Sequence, residues 1–114
     1  MTELRYDSAD PYAVRVIFNA HTDMTIEWSF GRDLLSCGRR QLSGLGDVQV
    51  WPSEILGSGM VFISLRAGED MDVVAASAAV IDSFLERTLE VVPLGEEERF
   101  LDIESPAGRL LDDI

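Results

Sequence analysis

Among its 114 residues the chain has one cysteine, one histidine and no lysine. A lone Cys37 excludes an internal disulfide and a thiolate metal cluster. A lone His21 removes any two-histidine metal site. Without lysine there is no Schiff-base nucleophile and no phosphate-loop cation, and all nine basic residues are arginine. No apolar run approaches the ~20 residues of a membrane span, so direct membrane insertion is not expected. No basic segment followed by an apolar stretch opens the chain, so no secretory leader is expected and the compartment reads as cytoplasmic. Repeats, low-complexity tracts and long linkers are also missing, and residues 1–114 read as one domain with enough chain to bury a core.

Acidic residues, by contrast, are abundant. The formal net charge is −12. Residues 1–68 hold eight acids against six arginines, whereas residues 69–114 hold thirteen against three. Nucleic acid and anionic membrane surfaces are bound mainly through cations that neutralise phosphates, so this field argues against both.

Period-two alternation marks the strands. Residues 13–19 are apolar apart from Arg15, and after the polar turn at 19–23 the pattern restarts with Met24, Ile26, Trp28 and Phe30 on one face. The two segments predict an antiparallel hairpin. A short helix is expected over 32–37, stopped by Gly38. A short strand over 47–51 should end at Pro52, and Gly57-Ser58-Gly59 should turn the chain into a strand over 60–67. That last strand is apolar on both faces, which predicts cover on both sides. Residues 70–91 read as one long helix, capped by Asp70 and closed by Pro93, with Met71, Val74, Ala78, Ile81, Leu85 and Leu89 on one stripe. A last strand over 96–103 and a short closing helix over 106–113 complete the expectation. Mixed strands around one main helix argue an α+β fold of antiparallel sheets.

The chemistry-bearing residues are few. His21 sits in a polar turn with no partner that the sequence identifies, and Cys37 reads either as a nucleophile or as a packing residue near a helix end. A hydrolase built on the pair is the weakest of the readings. Gly44-Leu45-Gly46 and Gly57-Ser58-Gly59 are turns, too short to cradle a phosphate. Glu96-Glu97-Glu98 and Asp112-Asp113 lack calcium-loop spacing and read as solvated acids. No catalytic residue, cofactor-binding residue, cofactor or metal site is expected. Trp28 belongs to the apolar face of its strand. Trp51 falls out of phase with Val48 and Val50, which suits either a strand end or an exposed anchor for a partner. Arg39-Arg40 is the densest positive point, and its plainer role is to complement a helix C-terminus.

Three strings are distinctive. They are Leu4-Arg5-Tyr6-Asp7 with Asp10-Pro11-Tyr12-Ala13-Val14, Glu27-Trp28-Ser29-Phe30-Gly31-Arg32-Asp33-Leu34-Leu35, and Gly46-Asp47-Val48-Gln49-Val50-Trp51-Pro52-Ser53. With Ser83-Phe84-Leu85-Glu86-Arg87-Thr88, they give the chain a resemblance to the SsgA-like sporulation and cell-division proteins of actinomycetes, the SsgB type in particular. The resemblance runs from about Leu4 to Leu94. It implies a Whirly-like fold, assembly as a homotrimer and residence at division septa. It also implies a non-enzymatic role in placing the septum, by recruiting or positioning the ring protein FtsZ or another SsgA-like protein. Family members begin with a further segment containing a strand, so an edge strand is expected to be lacking here, leaving an edge open to pairing.

Two readings from different classes follow. The first is an interaction adaptor for the division machinery. FtsZ is itself acidic, so its partner surface is expected in the near-neutral residues 1–68, around Arg39, Arg40 and Trp51. The second is a single-stranded nucleic-acid binder, suggested by the Whirly-like fold alone. Such binders need a cationic groove with stacking aromatics, and nine arginines stand here against 21 acids.

Overall fold

The computed structural model describes residues 2–19 and 22–101, and the backbone of 109–113. The expected hairpin is present: Ala13–Phe18 (β2) pairs antiparallel with Ile26–Gly31 (β3), Val16 opposite Trp28 and Val14 opposite Phe30. Thr2–Asp7 (β1) lies against the other side of β2, so the distinctive first string is itself a strand.

Arg32–Gly38 forms the expected short helix (α1), but Gly38 does not stop it: it is the last helical residue, without positive φ, and Arg39 is the cap. Val48–Ile55 (β4), Ser58–Ala67 (β5) and Asp70–Ser77 (β6) form a second antiparallel sheet, β5 in the middle. The strand carrying Pro52 therefore runs three residues beyond it. Val50 directs its N–H and C=O outward, where Ser43 meets both in an isolated bridge at 2.8 and 2.9 Å. By antiparallel alternation the nitrogen of Pro52, two residues on, also faces outward, so proline forfeits no ladder bond on this outer strand. The β4–β5 turn is the two-residue loop Leu56-Gly57, both at positive φ (52° and 81°), as a type I′ hairpin requires.

The long helix expected over 70–91 divides. Its first third is β6, and the helix proper is Ala78–Val91 (α2). Asp70 pairs with Ala67 across a tight turn in which Gly68 takes φ 63°, and the true cap is Ser77, whose Oγ accepts from Val80 N at 3.2 Å. A short run such as Val73-Val74-Ala75-Ala76 fits both a period of 3.6 and a period of 2, and the turn before it settles the matter. At the far end the chain leaves helical geometry at Val92, just before Pro93.

The strand expected over 96–103 is a 3-10 turn over Glu97–Phe100; residues 102 and 103 lie outside the described residues. Of the closing helix expected over 106–113, residues 106–108 lie outside the described residues and the rest is a strand. Arg109–Asp113 (β7) pairs antiparallel with the free side of β1, giving the sheet order β3-β2-β1-β7. Asp112 and Asp113 would have opposed the macrodipole at a helix C-terminus, whereas a strand carries no such penalty.

One core joins the sheets and helices. Leu4, Tyr6, Val14, Val16 and Phe30 meet Val50, Val61, Ile63, Val74 and Ala76, with Leu35, Ile81 and Phe84 from the helices. Gly38 allows α1 to settle on β4, since a Cβ there would stand 2.2 Å from Val50 Cγ1. A buried polar knot closes the other side. Arg32 Nη1 donates to the carbonyls of Thr88 (3.1 Å) and Val92 (2.8 Å), and Nη2 stands 3.6 Å from Glu97 Oε2. The guanidinium lies over the Tyr6 ring, 5.3 Å from its centre. Tyr6 donates to Pro11 O at 2.8 Å. Burial pushes its phenol up to about 12, against the opposing pull of Arg32.

Candidate protein-interaction face

Strand register sorts the second sheet into two unlike faces. Val48, Val50 and Pro52 pair with Leu65, Ile63 and Val61 on the core side. Gln49, Trp51 and Ser53 therefore stand outward, beside Ser64, Phe62 and Met60. From β6, Ala75, Val73 and Met71 complete the same outer face, opposite Phe62, Ser64 and Arg66. Trp51 and Phe62 stack with centroids 5.8 Å apart and planes inclined by 11°. Val73 and Met71 are half-exposed, at 50% and 55%.

Among the described residues neither helix covers this face, because Leu35, Ile81 and Phe84 lie in the core on the opposite side. The expectation that residues 60–67 are covered on both sides thus holds for Val61, Ile63 and Leu65 and fails for Met60 and Phe62, which are only half-buried. On that second side Ser64 is buried, with Leu45, Gly46 and Asp47 close by, while Met60, Phe62, Val73 and Met71 are only partly covered within the described chain.

The segment after α1 borders this face. Gln41, Leu42, Gln49, Trp51 and Pro52 line an open groove of about 480 Å³. Leu42 and Leu45 project into solvent, at 63% and 105% exposure. The sequence places Trp51 out of phase with its valine neighbours, and the register gives the reason: it belongs to the other side of the strand.

Arg39 and Arg40, adjacent in sequence, have different surroundings. Arg39 reaches α2 and donates from Nε and Nη2 to the two carboxylate oxygens of Asp82 at 2.5 and 3.0 Å. These hydrogen bonds, against the smaller cost of burial, hold its guanidinium still more firmly protonated than usual. Arg40 is exposed and makes no side-chain hydrogen bond or ion pair among the described residues. It leads directly into Gln41 and Leu42 of the groove. Sequence reasoning missed Phe62, Met71, Val73 and Arg66 as members of this face. The two-sided pattern of residues 60–67 signals Phe62, but Met71 and Val73 were concealed by the helical reading.

His21 lies outside the described residues. Cys37 is an exposed free thiol on α1, so the packing role suggested for it does not hold. Trp28 is half-buried against the core. Glu97 is no solvated acid, being buried beside Arg32. No helix among the described residues is long and apolar enough to cross a membrane.

Known proteins with the same sequence pattern and shape supply the context. A family profile described as Streptomyces sporulation and cell division protein, SsgA, matches residues 1–97. The sporulation-specific cell division protein SsgB of Streptomyces coelicolor is 44% identical over 108 residues, which are 95% of this chain and 79% of that one. Its namesake from Frankia casuarinae is 38% identical, over 95% of this chain and 76% of that one. A solved structure described under mutations in SsgB that correlate to longitudinal cell division during sporulation of Streptomyces coelicolor superposes with a TM-score of 0.78 at 47% identity, covering 85% of this chain and 76% of that one. An SsgA-like sporulation-specific cell division protein from Thermobifida fusca gives 0.77 at 33% identity, covering 89% and 85%.

Proposed function

The chain belongs to the SsgA-like family of sporulation and cell-division proteins, on its SsgB side, and from that premise we propose that it is a non-enzymatic adaptor of sporulation-specific septation. It recruits or positions FtsZ, directly or through another SsgA-like protein, at septa in the cytoplasm. The observation that carries this reading is the partly exposed apolar outer face of the second sheet. A strand apolar on both sides, with one side only partly covered, marks a surface that another macromolecule can cover.

Within that face, Trp51 stacked on Phe62 is the anchor, a rigid aromatic beside a groove. Arg40 supplies the free cation at the border. Arg39, tied to Asp82, holds the segment that presents Arg40 and Leu42. The outer strand β6 of the second sheet also suits assembly as a homotrimer with a Whirly-like arrangement, since its far margin is open among the described residues, whereas that of β4 is bridged by Ser43. No specific observation favours single-stranded nucleic acid as the ligand: the chain carries nine arginines against 21 acids.

Co-sedimentation with FtsZ polymers tests the proposal. The wild-type chain is expected in the pellet, and Trp51→Ala and Arg40→Glu are each expected to reduce its share. Retention of both variants at the wild-type level removes the outer face from consideration. Light scattering at micromolar concentration tests the trimer separately, a monomer mass near the 12.6 kDa of the chain being the contrary result.

A further inference from the structure

The inner faces of the two sheets meet in the core and part at one end. On the first sheet, Ile26 and Trp28 continue the row that holds buried Phe30, opposite Phe18 and Val16. On the second, Leu65 and Ala67 continue the row of Val61 and Ile63, opposite Asp72 and Asp70. These six residues, with Glu27 at the rim, line a cleft of about 410 Å³. That lies within the range of roughly 300–1,000 Å³ common for ligand sites.

Asp70 and Asp72 share their row with buried Val74 and Ala76, so they occupy inward positions of an outer strand. Inward acids often serve only to discourage strand pairing. Here the surroundings go further. The walls beside the carboxylates are apolar, formed by Trp28, Ile26, Leu65 and Ala67. Neither aspartate has an ion pair or side-chain hydrogen bond among the described residues, whereas Glu27 at the rim is held by Arg15 at 3.1 Å. Among the described residues both flanking strands, β3 and β6, are outermost in their sheets and leave one margin of backbone open.

An apolar wall below unpaired carboxylates is the complement of a long basic side chain, whose stem is apolar and whose end is cationic. The Trp28 ring adds a surface on which a guanidinium can lie. Charge decides the occupant: residues 69–114 carry thirteen acids and three arginines, a field that draws cationic segments and repels acidic ones. We propose that this cleft docks an extended segment of a partner protein bearing arginine or lysine, laid along β6 by strand addition. The cleft opens on the inner side of the second sheet and the Trp51 groove on its outer side. The two surfaces can therefore be occupied together, by partners of unlike charge.

The test uses the full chain carrying Trp51→Phe, which leaves Trp28 as its only tryptophan. It is titrated at low salt with a short blocked peptide alternating arginine and valine. The expected result is a saturable shift of Trp28 emission. Asp70→Asn with Asp72→Asn is expected to weaken binding by roughly tenfold or more, as removal of close charge pairs does. Glu86→Gln with Glu90→Gln removes the same charge from the exposed side of α2 and is expected to change it by less than about twofold. Equal weakening by the two pairs would reduce the effect to the general field and overturn the proposal. So would absence of saturation, or equal binding of a peptide with leucine replacing arginine, which would mark an apolar occupant such as a second copy. Thermal melts of the asparagine pair, at two exposed positions, confirm that the fold is retained.

Discussion

Arg32 donates to the carbonyl of Val92 over 2.8 Å, joining the first residue of α1 to the residue that caps α2, sixty positions later. The same nitrogen bonds Thr88 O. Carbonyls at a helix C-terminus attract cations; Thr88 O also accepts from Val92 N at 2.9 Å, so the buried guanidinium adds a second bond there, takes up the Val92 carbonyl and fixes the start of α1. Arg32→Ala would leave Glu97 and two carbonyls buried without it. The expected loss is about 3–5 kcal/mol in urea unfolding. Arg32→Met with Glu97→Gln should recover part of this, because no unpaired charge then remains.

Tyr6 beneath that guanidinium gives stability a pH dependence in the alkaline range. Its folded-state value is near 12 against 10.0 for the free phenol. The folded state therefore keeps a proton that the unfolded chain releases, and the associated stability is complete below pH 10 and lost as pH rises towards 12. The expected decline is about 2 kcal/mol. Tyr6→Phe should flatten this arm of the profile, at the cost of the bond to Pro11 O, when unfolding is followed by circular dichroism between pH 9 and 12.

Gly38→Ala tests the seat of α1 on β4. The new methyl would meet Val50 Cβ at 2.4 Å, and Val50 is fully buried. Overpacking of this kind costs typically ~1–3 kcal/mol, and a lowered midpoint of thermal unfolding is expected. Val50→Ala in the same chain should return less than the full loss, since it opens space on the core side of the sheet.

Arg39 and Arg40 should separate in a stability assay. Arg39→Glu places a carboxylate against Asp82 and is expected to destabilise by about 1 kcal/mol, a small figure because both partners are partly solvated. Exchanging the pair, Arg39→Asp with Asp82→Arg, should restore most of it. Arg40→Glu should leave unfolding unchanged, so any effect it has on FtsZ pelleting reports on contact with the partner.

In the first sheet β1 carries no strand reading and β7 reads as a helix, whereas the β2–β3 half and α1 are legible in the sequence, because Ile26, Trp28 and Phe30 alternate as no helix does. Residues 70–77 are not, because valine and alanine in short runs satisfy two periods at once. Only the tight turn into Asp70 shows which period applies, and its consequence is a pairing with a strand some ten residues back. The clamp is also hidden: Arg32, Tyr6, Thr88 and Glu97 come from four places in the chain, and nothing local distinguishes this arginine from the exposed ones. Trp51 is the reverse case. Its phase against Val48 and Val50 already placed it on a different side of the strand, although the stack on Phe62 required the register of two strands to be known.

Pro52 has a bearing on how the second sheet could grow. It presents no amide hydrogen to the outer side of β4, and Ser43 already takes up both polar groups of Val50 there. A further chain approaching along that rim would find a broken template. Extension of the sheet by another strand is thereby confined to the opposite rim, and whatever binds at Trp51 must do so by side chains laid flat upon the sheet.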